Sequence, residues 1–184
     1  MQQIPAELDR RFRETAAARG LLDAAYDLVE SPVGTLLVGA TDRGVCRISY
    51  TPDPEALATA VGPRVLRVPK RVDPVRRQLD EYFGGRRRAL DLDVDLHVPA
   101  FQEAVLRELA RVPYGELATY GELARRIGKP RAARAVGGAL NRNPVPIVLP
   151  CHRVVGASGS LVGYAGGLER KQLLLALEGA TGPA

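Results

Sequence analysis

The stretch that decides the fold is TYGELARRIGKPRAARAVGGALN, residues 119–141. Thr119 and Glu122 have the spacing of a capping box, which predicts a helix that begins here and ends at Gly128. Lys129-Pro130 restarts the chain as a second helix, Arg131 to Asn141, after a very short turn. Such a pair is typical of a helix-turn-helix element that binds DNA, although short helix pairs also occur in proteins that do not bind DNA.

Paired glycines, Gly137-Gly138, stand inside the second predicted helix. Each costs roughly 1 kcal/mol there relative to alanine, so the missing side chains need a physical reason. Two reasons are compatible with each other. The helix packs closely against the core, or it approaches a DNA backbone closely.

Downstream of the helix pair, Val145 to Leu149 form an apolar, β-rich run. This run predicts a buried strand that leads directly into Pro150-Cys151-His152-Arg153. A strand end holds a thiol rigidly against a pocket, and a neighbouring imidazole and arginine favour the thiolate, which is the form that attacks carbon. The alternative is that Cys151 is one more buried cysteine.

Upstream of the helix pair, residues 26–50 read as short strands separated by turns. They predict a small antiparallel sheet. Within it, Cys46 shares a strand face with Ile48 and Tyr50, so we expect Cys46 to be buried core.

Two Asp-Pro pairs mark helix starts in the same half of the chain. Asp53 and Asp73 each place a capping carboxylate before a proline suited to the first helical turn. The predicted helices are Pro54 to Val61 and Pro74 to Phe83. Arg86 to Pro99 then reads as the passage between two domains.

Two further amphipathic segments predict helices, and Leu168 to Glu178 is interpreted as the last helix of the chain. The opening segment, Ile4 to Leu22, carries Ile4, Leu8 and Phe12 at helical spacing. It predicts a short helix, either docked on the body or frayed from it. A clear apolar stripe that begins at Phe101 predicts the helix before the capping box.

Composition narrows the class of protein. With 184 residues, 46% of them apolar, the chain can build its own core. No apolar run approaches the roughly 20 residues that span a bilayer, and the start lacks a signal-peptide core, so we expect a cytoplasmic protein. Two distant cysteines and two histidines cannot form a structural zinc site. The net charge of +5 favours a polyanionic partner without proving one.

The chain from about Tyr26 to Gly179 resembles the O6-alkylguanine-DNA alkyltransferases, also called methylated-DNA–protein-cysteine methyltransferases. The resemblance is carried by four segments in order: residues 131–140 (RAARAVGGAL), 143–147 (NPVPI), 150–155 (PCHRVV) and 163–168 (GYAGGL). Pro-Cys-His-Arg-Val is the active-site signature of that family, and this chain retains its cysteine.

The resemblance implies a catalytic set. Cys151 is similar to the alkyl acceptor, His152 to the base that removes its proton through a water, and Glu178 to the carboxylate that orients the imidazole. Asn143 corresponds to the asparagine that braces the active-site turn. Tyr120 corresponds to the tyrosine that protonates the leaving guanine at N3. Without the resemblance, Glu178 would be interpreted as a solvated helix end.

The resemblance also implies a DNA surface and a base pocket. Arg134 is similar to the arginine that replaces the flipped nucleotide in the stack, in a minor-groove complex. The other DNA-facing positions are Tyr120, Gly121, Lys129, Gln102, Ala157 and Gly137. The guanine pocket is expected at Val154, Val162, Tyr164 and Ala165. Val162 stands where some relatives have glycine, so we expect a pocket that is narrower toward bulky adducts.

The implied fold class is α/β, with a ribonuclease-H-like N-terminal α/β domain and a helical, winged-helix-like C-terminal DNA-binding domain. The expected boundaries are a helical extension over 1–21 and domains over 22–97 and 98–184. We expect no metal and no cofactor, a monomer with duplex DNA as its partner, and no membrane association. Two rival functions remain at this point. They are a cysteine hydrolase that uses Cys151 and His152, and a regulator that only binds DNA.

Overall fold

A computed structural model of the chain describes residues 5–180. The described chain divides into two compact units. The first comprises residues up to 80 together with 91–97, and the second comprises 81–90 together with residues from 98 onward. No helix in residues 5–180 combines the length and the apolar character needed to cross a bilayer.

The first unit is built on a four-stranded sheet. Its strands are β1 (Ala24–Val29), β2 (Leu36–Thr41), β3 (Gly44–Ser49) and β4 (Val65–Arg67), in the order β3-β2-β1-β4. The β1–β2 and β2–β3 pairs are antiparallel, as the sequence predicts. The parallel pairing of β4 with β1 was missed, because a three-residue strand is too short to show a period of two.

Both faces of this sheet are covered. Ala24 packs with Leu37 and Cys46 in one cluster, whereas the next residue, Ala25, packs with Val68 in another. Adjacent residues of a strand point to opposite faces, so the alternation places one cluster on each side. The prediction that Cys46 is buried core is confirmed, with 5% of the residue exposed.

Three helices belong wholly or mainly to the first unit. They are α1 (Ala6–Ala18), α2 (Pro54–Val61) and α3 (Pro69–Phe83), the last of which continues into the second unit. The first two confirm predicted helices, and Asp53 caps α2 by accepting from two backbone amides at 3.0 Å. Ile4, which the prediction for α1 included, lies outside the described residues.

The predicted start of α3 at Pro74 is wrong, because the helix begins at Pro69 and carries Pro74 inside it. An internal proline removes one helical hydrogen bond and is costly. Val72, Val75 and Leu79 are buried at helical spacing. Their packing offsets that cost, and a local capping signal could not reveal it.

The segment from Arg86 to Pro99 is not a simple passage between domains. Val94 forms a parallel bridge with Val45, and Asp95 is buried and accepts a hydrogen bond from Thr41 Oγ1 at 2.7 Å. Residues 91–97 therefore belong to the first unit.

The second unit is mainly helical. Its helices are α4 (Ala100–Leu109), α5 (Tyr120–Arg126), α6 (Ala133–Asn141) and α7 (Leu168–Leu177), with short parallel strands β5 (Ala118–Thr119) and β6 (Val154–Val155). The predicted capping box is confirmed, since Thr119 Oγ1 accepts from Glu122 N at 3.2 Å while Glu122 Oε2 accepts from Thr119 N at 2.6 Å. Helix α6 begins two residues later than predicted.

The predicted strand from Val145 to Leu149 is wrong. The segment is a compact turn in which Pro146 and Leu149 form an isolated bridge, and Ile147 is the one described non-glycine residue with a positive φ, 75°. Prolines at 144, 146 and 150 supply no backbone N–H, so the segment cannot form a continuous ladder. Its apolar side chains are buried by a turn rather than by a sheet.

Candidate active site

Cys151 opens a single turn of 3₁₀ helix, Cys151–Arg153, instead of ending a strand. Asn143 holds the preceding turn. Its Nδ2 donates to Leu149 O at 2.8 Å and to Cys151 Sγ at 3.2 Å, and its Oδ1 accepts from Val145 N at 3.0 Å. One amide side chain thus fixes the turn and aims a hydrogen bond at the sulfur.

The Cys151 thiol is held in its neutral form at rest. Burial raises its pKa to about 11, against the lowering effects of the Asn143 hydrogen bond and of the Lys171 charge. A buried thiol at neutral pH is a poor nucleophile, so the site needs a base to remove the proton as reaction occurs.

His152 is fully buried and offers such a base. Its Nε2 lies 2.9 Å from Glu178 Oε1, while its Nδ1 is buried without a hydrogen-bond partner among the described residues. An ionised carboxylate only accepts, which assigns the proton to Nε2 and the free lone pair to Nδ1. Burial, opposed by Glu178, lowers the pKa of His152, so the imidazole is neutral at neutral pH.

Glu178 is the centre of a buried hydrogen-bond network, so its interpretation as a solvated helix end is wrong. Oε1 accepts from His152, from Tyr82 Oη at 2.6 Å and from Arg153 Nη2 at 2.8 Å. Oε2 accepts from Arg153 Nε at 2.8 Å and from Gly115 N at 3.3 Å. Burial raises the pKa of Glu178, but the hydrogen bonds from His152 and Arg153 outweigh it and bring the value to about 2.

Arg153 has a different role from the expected one. Its charge was expected beside the thiol, whereas the guanidinium pairs with Glu178 and donates to Val112 O at 2.6 Å. A buried charge must be compensated by partners, and Glu178 supplies the compensation. The arginine therefore stabilises the carboxylate.

Lys171 is a site residue that sequence reasoning missed. It is fully buried in α7, and its Nζ donates to Val154 O at 2.6 Å and to Val162 O at 3.2 Å. Tyr120 Oη donates to the same Val162 oxygen at 3.1 Å. A lysine at the helical spacing of buried leucines was the available signal, because lysine is almost never fully buried unless it has partners.

Cys151 lines a cavity of about 340 Å³. Tyr120, Gly137 and the segment 162–165 line this cavity together with Cys151. The lining thus brings together six of the residues predicted for catalysis, DNA contact or the base pocket: Tyr120, Gly137, Cys151, Val162, Tyr164 and Ala165. A larger, more open groove in the first unit, about 580 Å³, is lined by none of the predicted site residues.

Two predicted pocket positions differ in exposure. Val162 is 42% exposed and borders the cavity, whereas Val154 is fully buried with its carbonyl oxygen bonded to Lys171.

Burial raises the pKa of Tyr120, so its hydroxyl keeps its proton at neutral pH. The cavity therefore combines a thiol, a proton-bearing phenol and an opening to solvent.

Predicted DNA-facing residues lie mostly on the surface. Arg134, Lys129 and Ala157 are exposed, and Gly121 is half-buried near the start of α5. The expectation is wrong for the side chain of Gln102, which is 6% exposed and donates to Ala139 O at 3.2 Å and to Arg142 O at 2.7 Å. The Gln102 side chain braces the end of α6.

The paired glycines are not required by tight packing. A Cβ at Gly137 would lie 3.6 Å from the Tyr120 ring, and one at Gly138 would lie 3.7 Å from Arg142 Nη1, both ordinary contacts. The protein itself therefore leaves room for alanine at both positions.

No group of three His, Cys, Asp or Glu side chains within residues 5–180 is arranged to hold a metal ion.

Two protein-family models match most of the chain. Residues 24–96 match the ribonuclease-like domain of 6-O-methylguanine DNA methyltransferase, and residues 100–180 match its DNA binding domain. The chain belongs to this methyltransferase family. The ribonuclease-like match covers the four-stranded sheet, and the DNA-binding match covers the helical part that follows it. This mixed α/β architecture with a helical C-terminal part agrees with the predicted fold class.

Individual relatives of this methyltransferase family cover most of the chain. A methylated-DNA–protein-cysteine methyltransferase of Mycolicibacterium paratuberculosis is 43% identical over 171 residues, which cover 86% of this chain and 94% of the relative. A methyltransferase of the same name from Methanosarcina barkeri is 41% identical, and the match covers 83% of this chain and 96% of the relative. The solved structure of Mycobacterium tuberculosis OGT in complex with DNA is 38% identical in sequence and has a TM-score of 0.77. The match covers 87% of this chain and 96% of the OGT chain.

Proposed function

We propose that this chain removes the alkyl group from O6-alkylguanine in duplex DNA and keeps it on Cys151. The observation that carries the proposal is the position of Cys151 at a cavity of about 340 Å³, next to a buried His152–Glu178 pair. A small-molecule site of this size, mostly preformed and with few polar groups, suits a single base. Membership of the methyltransferase family supports the same substrate.

The reaction is one displacement. His152 takes the thiol proton through a bridging water, and the sulfur attacks the alkyl carbon bound to O6. The S–C bond forms as the C–O6 bond breaks, the electron pair of that bond stays on guanine, and Tyr120 protonates the departing base at N3. The product is a thioether on Cys151, which no group in the site can reverse, so each molecule reacts once.

The target base must leave the duplex to reach the cavity. We propose docking of α6 in the minor groove, with Arg134 in the place of the flipped nucleotide and Lys129, Gly121, Gly137 and Ala157 near the backbone. The Arg134 side chain lies near the start of α6 and is exposed to solvent, so it is available for this role. Because phosphate contacts release counterions, affinity should fall linearly on a log–log plot against salt. An affinity independent of salt would contradict this docking surface.

The first test is intact-protein mass spectrometry after mixing the protein with duplex DNA that contains one O6-methylguanine. We expect a gain of one methyl group, located on Cys151 by peptide mapping and saturating at one per molecule. If the protein mass stays unchanged and the DNA stays alkylated, the result would contradict alkyl transfer and favour a regulator that only binds DNA. A thiol that turns over repeatedly would leave the cysteine hydrolase.

The remaining features of the proposal concern substrate range and assembly. We propose a monomer that acts in the cytoplasm, with a helical extension over 1–21 and domains over 22–97 and 98–184. O4-alkylthymine is a second candidate substrate, and cooperative binding along DNA is a candidate assembly. Competition between the two alkylated bases, and sedimentation with and without DNA, check these points.

A further inference from the structure

The hydroxyl of Tyr82 is a buried polar group that the proposed reaction does not use. Tyr82 lies in the last turn of α3, inside the second unit, and is 1% exposed. Its Oη donates to Glu178 Oε1 at 2.6 Å. Burial, reinforced by the negative charge of Glu178, raises the pKa of Tyr82, so the residue remains a neutral donor at every pH the protein meets.

Tyr82 and His152 compete for the same oxygen. Glu178 Oε1 accepts from Tyr82 at 2.6 Å, from Arg153 Nη2 at 2.8 Å and from His152 Nε2 at 2.9 Å. Each added donor stabilises the carboxylate charge and thereby reduces what that charge offers to the other partners. Of the two protonation states of His152, the positively charged one is stabilised more by the negative charge of Glu178.

The other charged groups around His152 act in the same direction. Arg153 and Lys171 are both positive and both disfavour a second proton on the imidazole, and the neighbouring Cys151 thiol is neutral at rest. Glu178 is the one group among these that favours the imidazolium. The bond between Glu178 and His152 therefore opposes the burial and the two cations, which together keep the imidazole neutral.

We propose that Tyr82 is a positioning residue that holds Glu178 in place and limits how strongly this carboxylate stabilises protonated His152. His152 then keeps its proton on Nε2 and presents Nδ1 as a lone pair. The effect on alkyl transfer rests on the proposed function, whereas the effect on His152 can be measured without any substrate.

The direct test is a ¹⁵N NMR titration of the imidazoles in the wild type and in Tyr82→Phe. The chain has two histidines, His97 and His152, so a His97→Gln variant assigns both. Tyr82→Phe removes one donor from Glu178 Oε1, so the carboxylate stabilises the protonated imidazole more strongly. We expect the pKa of His152 to rise by about half a unit to one unit. An unchanged titration of His152 would overturn the proposal.

A matched control removes a different hydroxyl from the same unit. Tyr114 Oη donates to Leu177 O at 3.0 Å, and its ring lies 5.8 Å from the Arg153 guanidinium carbon, but the hydroxyl does not reach Glu178. Tyr114→Phe should leave the titration of His152 unchanged. An equal shift in both variants would show that general loosening of the cluster is responsible and would overturn the proposal.

A second substitution keeps the test independent of whether Tyr82→Phe folds. Replacing Tyr82 with 3-fluorotyrosine retains the hydroxyl and makes it a stronger donor, so the pKa of His152 should move down instead of up. A shift in the same direction as that of Tyr82→Phe would contradict the proposed mechanism.

Single-turnover rates connect the inference to the reaction. Because transfer needs neutral His152, the acid limb of the rate profile in Tyr82→Phe should move to higher pH by the same amount as the NMR titration. If wild-type protein transfers no methyl group but the NMR shift occurs, the proposed function fails and the role of Tyr82 stands. If transfer occurs and neither the limb nor the titration moves, only the role of Tyr82 fails.

Discussion

The two cysteines of the chain have nearly the same burial and different surroundings. Cys46 is 5% exposed and Cys151 is 6% exposed, and burial raises the pKa of each thiol to about 11. Cys46 packs against Ala24, Leu37 and Leu57 in the sheet core. Cys151 borders a cavity, accepts a hydrogen bond from an amide and adjoins a base. Burial and resting pKa therefore do not identify a nucleophile, whereas access and a proton acceptor do.

The largest expected difference between the two cysteines is in transfer itself. Cys151→Ala should abolish methyl transfer from O6-methylguanine DNA, because the acceptor atom is gone. Cys46→Ala should retain the wild-type single-turnover rate and lose about 1 kcal/mol of stability from reduced core packing. Intact mass and thermal melting measure both. Transfer to Cys46 in the Cys151→Ala variant would break the comparison.

The next effect concerns the network behind Cys151, which Cys46 lacks. Glu178→Gln leaves Arg153 without its buried counter-charge, and we expect a loss of about 3–5 kcal/mol in the free energy of unfolding. Denaturant unfolding at pH 7 measures it. The isosteric amide keeps the volume, so a loss below that of Cys46→Ala would contradict a network centred on the Glu178 charge.

The same carboxylate predicts how stability depends on pH. The pKa of Glu178 is about 2 in the folded protein, below the usual value of 4.5 for a glutamate. Its contribution is therefore complete above the unfolded value and is lost as pH falls from about 5 through about 2. Acid unfolding should be steeper in this window for the wild type than for Glu178→Gln. Parallel curves would contradict the assignment.

A smaller effect follows from the reaction product. Cys151 is only 6% exposed although it borders the cavity, so an added methyl group presses on the side chains around the sulfur, and we expect the alkylated protein to be about 1–3 kcal/mol less stable than the free protein. Melting temperatures before and after stoichiometric reaction test this. Equal temperatures would show that the cavity accepts the methyl group without strain.

The smallest effect concerns the Lys171 charge. Lys171→Met retains much of the side-chain volume but removes the cation that lowers the pKa of the Cys151 thiol, so thiol alkylation by a small neutral reagent should slow about tenfold. The reactivity of Cys46 in the same protein serves as the internal control. A uniform change at both thiols would indicate a global loosening and contradict a local electrostatic role for Lys171.

Much of the fold follows from local signals. Asp53 before Pro54 and the Thr119–Glu122 pair marked two helix starts correctly, because capping depends on residues a few positions apart. Local reasoning failed for the segment 145–149, where apolar character indicated a strand. The prolines and the side chain of Asn143 instead produce a turn that supplies its own hydrogen bonds.

The candidate site divides in the same way. Cys151 and His152 stand next to each other in the chain, and their chemistry is visible from residue type. The partners Tyr82 and Lys171 were missed, and the role of Arg153 was misplaced. Tyr82 is 96 residues from Glu178 in sequence, and neither residue carries a local pattern that points to the other.

The sequence by itself predicted the two-part organisation and most helix starts, since these depend on short-range spacing, and its resemblance to the family singled out Cys151 as the candidate acceptor. Only the tertiary structure decided which thiol has a cavity and a base, which carboxylate is buried, and which groups donate to it. The physical reason is that burial and hydrogen-bond partnership arise from residues far apart in sequence. Desolvation by those residues makes Cys151 and Cys46 alike in pKa, whereas the cavity and the hydrogen bonds that they supply give the two cysteines different surroundings.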